Sequence, residues 1–126
     1  MQYQEKIVHV LIADDSDVVR HHLVRMIESV PNVQVVAEAE TAPHTLELVR
    51  KLKPEAVILD IQMPGSGITA LMQIKRELPE TQVIMLTNHA WPHFRDMCRK
   101  AGADYFLDKS LEFEKVPQVL SDLVSY

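Results

Sequence analysis

Several features that would define a protein class are scarce in this 126-residue sequence. Cys98 is the single cysteine, so an intramolecular disulfide is impossible and a reducing compartment is the simplest interpretation. Lys and Arg number 13 against 18 Asp and Glu, and the net charge of −5 argues against non-specific nucleic-acid binding. No apolar run approaches the ~20 residues of a membrane span, and Met1–Val10 lacks a signal peptide's apolar core. We therefore expect a soluble cytoplasmic protein.

The composition that is present is ordinary, with 47% hydrophobic and 25% charged residues in a length that suits one domain. Short β-branched segments alternate with longer stretches in which apolar residues recur every three or four positions, as on one face of a helix. Five such strand–helix units predict an α/β fold whose parallel sheet is covered by helices on both faces. The predicted strands are Ile7–Ala13, Val33–Ala37, Ala56–Leu59, Val83–Leu86 and Tyr105–Leu107.

The predicted helices carry expectations of their own. Ser16 is expected to cap the first helix, because its side chain can accept a hydrogen bond from the first turn. Pro117 fits only in the first turn of the fifth helix, where a backbone N–H has no partner. Apolar spacing predicts that the second and fourth helices bury Leu46, Val49 and Leu52, and Phe94, Met97 and Cys98.

Polar residues follow four of the five predicted strands. Asp14 and Asp15 come after the first strand, Asp60 after the third, Thr87 ends the fourth, and Lys109 follows the fifth. The carboxyl ends of parallel strands meet at one rim of the sheet, where such folds bind ligands. These five side chains are therefore expected to converge.

The expected cluster suits phosphoryl chemistry. Three carboxylates repel one another, and Mg²⁺ relieves this repulsion best because it takes oxygen ligands and leaves positions open for phosphate oxygens. Thr87 can donate a hydrogen bond to a phosphoryl oxygen, and Lys109 can neutralise another. Asp60 lies between these groups and can attack phosphorus to give an aspartyl phosphate. Catalysis would consist of positioning and charge neutralisation, so the predicted site is a phospho-acceptor.

An ordered set of motifs extends over essentially the whole chain, residues 1–126. It consists of Asp14-Asp15, Asp60 followed by Met63-Pro64-Gly65, Thr87, Gly102-Ala103-Asp104, Phe106 and Lys109. This set resembles the receiver domain of two-component response regulators. The resemblance implies a doubly wound (βα)5, flavodoxin-like sheet of order 2-1-3-4-5. It also implies that Asp60 is phosphorylated by the phosphohistidine of a sensor histidine kinase or of a histidine phosphotransfer protein.

The same resemblance implies roles for individual residues. Asp15 and Asp60 would ligate Mg²⁺ together with the backbone carbonyl of Gln62, while Asp14 often acts through water. Thr87 and Phe106 resemble the switch pair, in which the hydroxyl moves toward the phosphoryl group and the ring turns inward. The implied output surface for a downstream protein is helix four, strand five and helix five.

The implied signalling works through protein contact. With one domain expected, the chain would bind neither nucleic acid nor a membrane directly. It would not be a conventional enzyme, although it would catalyse its own phosphorylation and slow dephosphorylation.

Some positions depart from the family's pattern. Ser110 stands where most receivers have proline, so the geometry of the bond after Lys109 is left open. Asn88 replaces a smaller residue and is expected to narrow access to the phosphoryl group. Gly65–Ile68 is a shorter variant of the usual segment. The two variable positions that tune the attack of water on the aspartyl phosphate are occupied by Gln62 and His89.

Two other functions stay open on the sequence. Asp15-Ser16-Asp17 resembles the Asp-x-Asp signature of haloacid-dehalogenase-type phosphatases, which use Mg²⁺ and would make Asp15 the nucleophile. Against this, Asp17 falls in the first turn of a predicted helix, and no cap domain is seen. The other is a receiver-like module that binds partners without phosphorylation, which the intact set of five site residues disfavours. No zinc site is predicted from the six histidines.

Overall fold

Five parallel strands form the sheet at the centre of the molecule. The computed structural model describes residues 6–124, so both ends of the expected 1–126 domain lie outside the described part. The strands are β1 (Val8–Ala13), β2 (Val33–Ala39), β3 (Ala56–Leu59), β4 (Gln82–Thr87) and β5 (Tyr105–Asp108). The helices are α1 (Asp17–Glu28), α2 (Ala42–Leu52), α3 (Gly67–Glu77), α4 (Pro92–Lys100) and α5 (Val116–Val124). The strand order is β2-β1-β3-β4-β5, which confirms the flavodoxin-like α/β fold.

The two faces of the sheet carry separate hydrophobic cores, because successive side chains of a strand point to opposite faces. On one face, Leu11 and Leu59 pack with residues of α2, α3 and α4. On the other face, Ile12 and Ile58 pack with residues of α1 and α5. Each buried Leu or Ile contributes about 1.5–3 kcal/mol, so both helix layers hold the strands in register.

The ends of the helices follow local sequence signals. The Ser16 hydroxyl accepts a hydrogen bond from the Val19 N–H at 3.3 Å and caps α1, as predicted. Pro117 is the second residue of α5, which also confirms its expected place. A 3-10 turn over Phe113–Lys115, which the periodicity did not predict, leads into that helix.

The expectation that Leu52 and Met97 face inward is wrong, since they are 41% and 47% exposed. Leu52 is the last residue of α2, where the helix ends at Lys53 with φ 47°. On α4 the buried line runs through Cys98, and Met97 lies about 100° around the helix from it. None of the helices within residues 6–124 is long and apolar enough to cross a membrane.

Candidate functional site

The predicted site residues lie at the carboxyl edge of the sheet, because each directly continues or ends a strand. Their backbone N–H groups extend the ladder of hydrogen bonds beyond the strands themselves. The bonds run from Asp14 to Ala39, from Asp60 to Ala13 and from Lys109 to Thr87, with N···O distances of 3.0, 3.1 and 2.8 Å. The sheet thus fixes the main chain on which these side chains are carried.

Lys109 joins the two buried carboxylates of the site. Its Nζ donates to Asp14 Oδ2 at 2.7 Å and to Asp60 Oδ2 at 2.8 Å. Asp14 and Asp60 are only 3% and 6% exposed. The three groups directly follow β1, β3 and β5, so these contacts between residues far apart in sequence show that Asp14, Asp60 and Lys109 converge.

Burial and pairing act in opposite directions on these groups. Burial has the largest influence on the Asp14 carboxyl and raises its pKa, while hydrogen bonds from Lys109 and the Ser16 N–H oppose it. Burial acts to lower the pKa of Lys109, but its bonds to Asp14 and Asp60 outweigh burial and raise that pKa. The lysine is therefore a permanent positive charge at the site near neutral pH.

Asp14, Asp15 and Asp60 form an acidic cluster. One carboxylate oxygen from each lies within 4.8 Å of the others, and Asp15 is the exposed member. Three carboxylates and the Lys109 ammonium leave a formal charge of −2. An all-oxygen donor set with one side open to water fits a hard divalent cation such as Mg²⁺.

Thr87 and Gln62 lie beside this cluster. Thr87 is fully buried at the end of β4, and its Oγ1 accepts a hydrogen bond from the His89 N–H at 3.0 Å. The Gln62 N–H donates to Asp60 Oδ1 at 3.3 Å. The loop after β4 is therefore bonded through its backbone to Thr87, and the loop after β3 is bonded through its backbone to Asp60.

Two of the departures noted in the sequence meet at the mouth of the site. The Ser110 hydroxyl donates to Asn88 Oδ1 at 3.4 Å, linking the loops that follow β5 and β4. The described chain, residues 6–124, has no cis peptide bond, so the bond between Lys109 and Ser110 is trans.

Phe106, the other expected switch residue, lies on β5 next to β4. Its partner across the strands is Met85, two residues before Thr87. The Phe106 ring is half-buried against the core that α2, α3 and α4 cover. Arg95 of α4 stacks its guanidinium over this ring.

Two residues of the site's surroundings were not predicted: Arg20 and Arg95. Arg20 did carry a signal, because it shares the inward spacing of Leu23 and Ile27 on α1 although it is charged. A charge on the apolar face of a helix indicates a buried partner. Arg95, on an exposed surface, carried no comparable signal.

The Asp-x-Asp alternative finds little support in the geometry. Asp17 is the first residue of α1, and its carboxylate is bound by the buried guanidinium of Arg20. The acid that shares the bridging Lys109 with Asp14 is Asp60, directly after β3.

The fold and its strand order are those of a receiver domain. The family model for the response regulator receiver domain matches residues 10–121, and the chain belongs to that family. It is the receiver domain of a two-component response regulator.

Curated relatives agree with this assignment. The response regulator GacA of Pseudomonas aeruginosa is 32% identical over 90% of this chain and 53% of its own length. A protein-glutamate methylesterase/protein-glutamine glutaminase of Alkalilimnicola ehrlichii is 34% identical over 93% of this chain and 32% of its own length. The chain thus spans about half the length of GacA, and less of the methylesterase.

Solved structures show the same fold. The response regulator domain of Thermotoga maritima CheB has a TM-score of 0.82 and 31% identity, covering 94% of both chains. The isolated receiver domain of RcsB from Salmonella enterica, in the presence of phosphomimetic BeF3-, has a TM-score of 0.85 and 28% identity. That match covers 92% of this chain and 87% of the RcsB domain.

Proposed function

We propose that Asp60 accepts a phosphoryl group from the phosphohistidine of a sensor histidine kinase or a histidine phosphotransfer protein. The observation that carries the proposal is the lysine bridge: Lys109 Nζ lies 2.7 Å from Asp14 and 2.8 Å from Asp60. Phosphoryl transfer adds negative charge at the acceptor, so it requires a cation fixed beside the accepting carboxylate. Lys109 is such a cation, and it does not fully neutralise the acidic cluster.

The oxygen atoms of the acidic cluster would bind the metal ion. Asp14, Asp15, Asp60 and the backbone carbonyl of Gln62 would hold Mg²⁺, as the all-oxygen donor set within 4.8 Å supports. When bound, the cation supplies charge neutralisation to the phosphoryl oxygens.

In the transfer itself, a carboxylate oxygen of Asp60 forms the bond to phosphorus while the bond from phosphorus to the donor imidazole nitrogen breaks. The imidazole keeps the electron pair and takes a proton from solvent. Lys109 moves from the Asp60 carboxylate to a phosphoryl oxygen, and the Thr87 hydroxyl donates to another. Water later attacks phosphorus and restores Asp60, at a rate that Gln62, Asn88 and His89 tune from the mouth of the site.

The charge added at Asp60 would cause the conformational change that a downstream protein recognises. A phosphoryl group brings about −1.5 to −2 charges and three acceptor oxygens. Recruiting the Thr87 hydroxyl removes the bond that it now accepts from His89, and the loop after β4 moves with it. The Phe106 ring turns inward in response, and the surface of α4, β5 and α5 then presents itself to a downstream protein. Phosphohistidine donors of this class act in the cytoplasm, where we place the protein, with no direct nucleic-acid or membrane contact.

Labelling with a small phosphodonor tests the proposal. The full chain is incubated with Mg²⁺ and acetyl phosphate, and the modified residue is located by tandem mass spectrometry. We expect one phosphoryl group on Asp60, no labelling in Asp60→Asn or after chelation of Mg²⁺, and normal labelling in the surface control Asp122→Asn. Labelling located on Asp15 instead would favour a phosphatase, and a folded protein with no labelling would favour a binding module.

A further inference from the structure

Arg20 is a buried arginine on α1 whose guanidinium faces the loop between β1 and α1. Its side chain is 8% exposed, and Nη1 donates to the main-chain oxygen of Asp14 at 2.5 Å. That oxygen belongs to the peptide group that joins Asp14 to Asp15. The arginine therefore holds the backbone between two members of the acidic cluster.

The same guanidinium binds three carboxylates around it. Nε donates to Glu38 on β2 at 3.1 Å, and Nη2 donates to Glu40 just after β2 at 3.2 Å and to Asp17 on α1. Three carboxylates more than neutralise one guanidinium, so its charge does not repel a cation at the neighbouring cluster. These contacts tie the loop to the outer strand of the sheet.

Asp15 is the cluster member whose position depends most on this backbone. Lys109 binds the carboxylates of Asp14 and Asp60, whereas no hydrogen bond to the Asp15 carboxylate is found within residues 6–124. The direction of the Asp15 side chain therefore follows from the peptide group that Arg20 holds.

We propose that Arg20 is a positioning residue for cation binding, because its bond to the Asp14 carbonyl orients the peptide group that carries Asp15 into the cluster. The proposal rests on the Mg²⁺-dependent phosphorylation proposed above. A lysine has one nitrogen and does not make this set of bonds, whereas the planar guanidinium reaches four oxygens at once. Loss of residues that orient metal ligands typically weakens metal binding by about 10- to 100-fold.

Titration with MgCl2 alone tests the role of Arg20 without any phosphodonor. The wild type, Arg20→Met, Arg20→Lys and the control Arg25→Met, an exposed position on the same helix, are compared by isothermal calorimetry. We expect the Mg²⁺ dissociation constant to rise about 10- to 100-fold in R20M and by less in R20K, with R25M unchanged. Phosphorylation by acetyl phosphate should fall in R20M at low Mg²⁺ and recover largely at saturating Mg²⁺.

A positioning role predicts weaker Mg²⁺ binding in R20M with a labelling rate that largely recovers at saturating Mg²⁺. A general loss of stability would lower the saturated labelling rate as well. A folded R20M with the wild-type Mg²⁺ affinity would overturn the proposal. If R20M does not fold, R20K decides, because weaker binding than wild type supports the proposal and wild-type affinity refutes it. Amide NMR of the metal-free protein adds an independent measurement: the Asp15 and Ser16 signals should shift in R20K but not in R25M. A wild type that binds no Mg²⁺ would overturn the proposed function itself, and this inference with it.

Discussion

Arg95 and Phe106 are joined by two contacts across the space between α4 and β5. The Cζ atom of Arg95 lies 4.6 Å from the centroid of the Phe106 ring, and its Nη1 donates to the Phe106 main-chain oxygen at 3.3 Å. The guanidinium thus covers the ring that is proposed to turn inward on phosphorylation. An inward turn has to break the cation–π contact.

Replacing Arg95 should therefore favour the inward position of the Phe106 ring. A cation–π contact at an exposed site is worth about 0.5–1 kcal/mol, which corresponds to a shift of about two- to five-fold in a two-state equilibrium. Fluorine NMR of fluorophenylalanine-labelled Arg95→Met, without phosphorylation, should show a larger inward population than wild type. Arg99→Met on the same helix is the control, since Arg99 pairs with Asp96 instead. An unchanged ring signal in R95M would refute the expectation.

Gly67 should be intolerant of any side chain. A Cβ atom at this position would lie 1.7 Å from the main-chain oxygen of Asp60, and backbone atoms cannot give way as a flexible side chain can. We expect Gly67→Ala to lower the free energy of unfolding by about 3 kcal/mol or more, since overpacking typically costs about 1–3 kcal/mol. The same change should slow phosphorylation of Asp60. Chemical denaturation and acetyl phosphate labelling measure the two effects.

Gly102→Ala is the matched control for that change. Gly102 has φ +100° and approaches the side chain of Lys75, so an alanine there is strained, but the strain lies away from Asp60. G102A should lose stability and keep the labelling rate of the wild type. Equal labelling in the two variants would contradict the expected effect of a side chain at position 67 on Asp60.

Ser66 occupies a backbone conformation that suits glycine better than serine. Its φ is 72°, and its hydroxyl accepts a hydrogen bond from the Thr69 N–H at 3.4 Å at the start of α3. Glycine would remove a backbone cost of about 1–3 kcal/mol and lose only a few tenths of a kcal/mol of capping. Urea denaturation should show Ser66→Gly more stable by about 1 kcal/mol and Ser66→Ala less stable by a similar amount. A destabilised S66G would show that the cap outweighs the strain.

The pair between His9 and Glu55 should make stability depend on pH below neutrality. Burial alone would raise the pKa of Glu55, but hydrogen bonds from the N–H and the ring of His9 outweigh it and lower that pKa. A carboxyl whose pKa is lower in the folded state stabilises the fold above its unfolded value of 4.5, and this contribution is lost as the pH falls through the folded value. The stability gap between wild type and Glu55→Gln should therefore be fully present well above pH 4.5 and shrink steadily as the pH falls below 4.5. Glu47→Gln, at an exposed position, should show a smaller gap, and a Glu55 gap that grows on acidification would contradict the assignment.

Much of the fold followed from periodicity, because a parallel sheet buried on both faces leaves few alternatives. The four residues of Ala56–Leu59 were predicted with their observed bounds, since a short uninterrupted apolar run between Glu55 and Asp60 is typical of a strand that is buried on both faces. Leu52 shows the limit of the same reasoning. Its spacing is that of an inward residue, but Leu52 is the last residue of α2 and is 41% exposed, because apolar spacing does not show how far the neighbouring elements reach along a helix.

The site was predictable where it depends on strand ends and not where it depends on contacts between loops. Asp14, Asp60 and Lys109 converge because the topology brings strand ends together, whatever the intervening sequence. The bonds from Arg20 to the Asp14 carbonyl and from Ser110 to Asn88 depend on where side chains reach, which residue spacing does not encode.

The backbone hydrogen bonds of the sheet continue through Asp14, Asp60 and Lys109. The main chain that carries the proposed acceptor, Asp60, is therefore as rigid as that of the core. Amide hydrogens in such positions exchange only when the centre of the protein opens, so their protection should approach that of full unfolding. A phosphoryl group added to a side chain on this rigid main chain would deform the sheet that carries it very little. In the proposed phosphorylation, the strain would be passed instead to the loops after Thr87 and Lys109, and we expect these loops to rearrange on the microsecond-to-millisecond timescale.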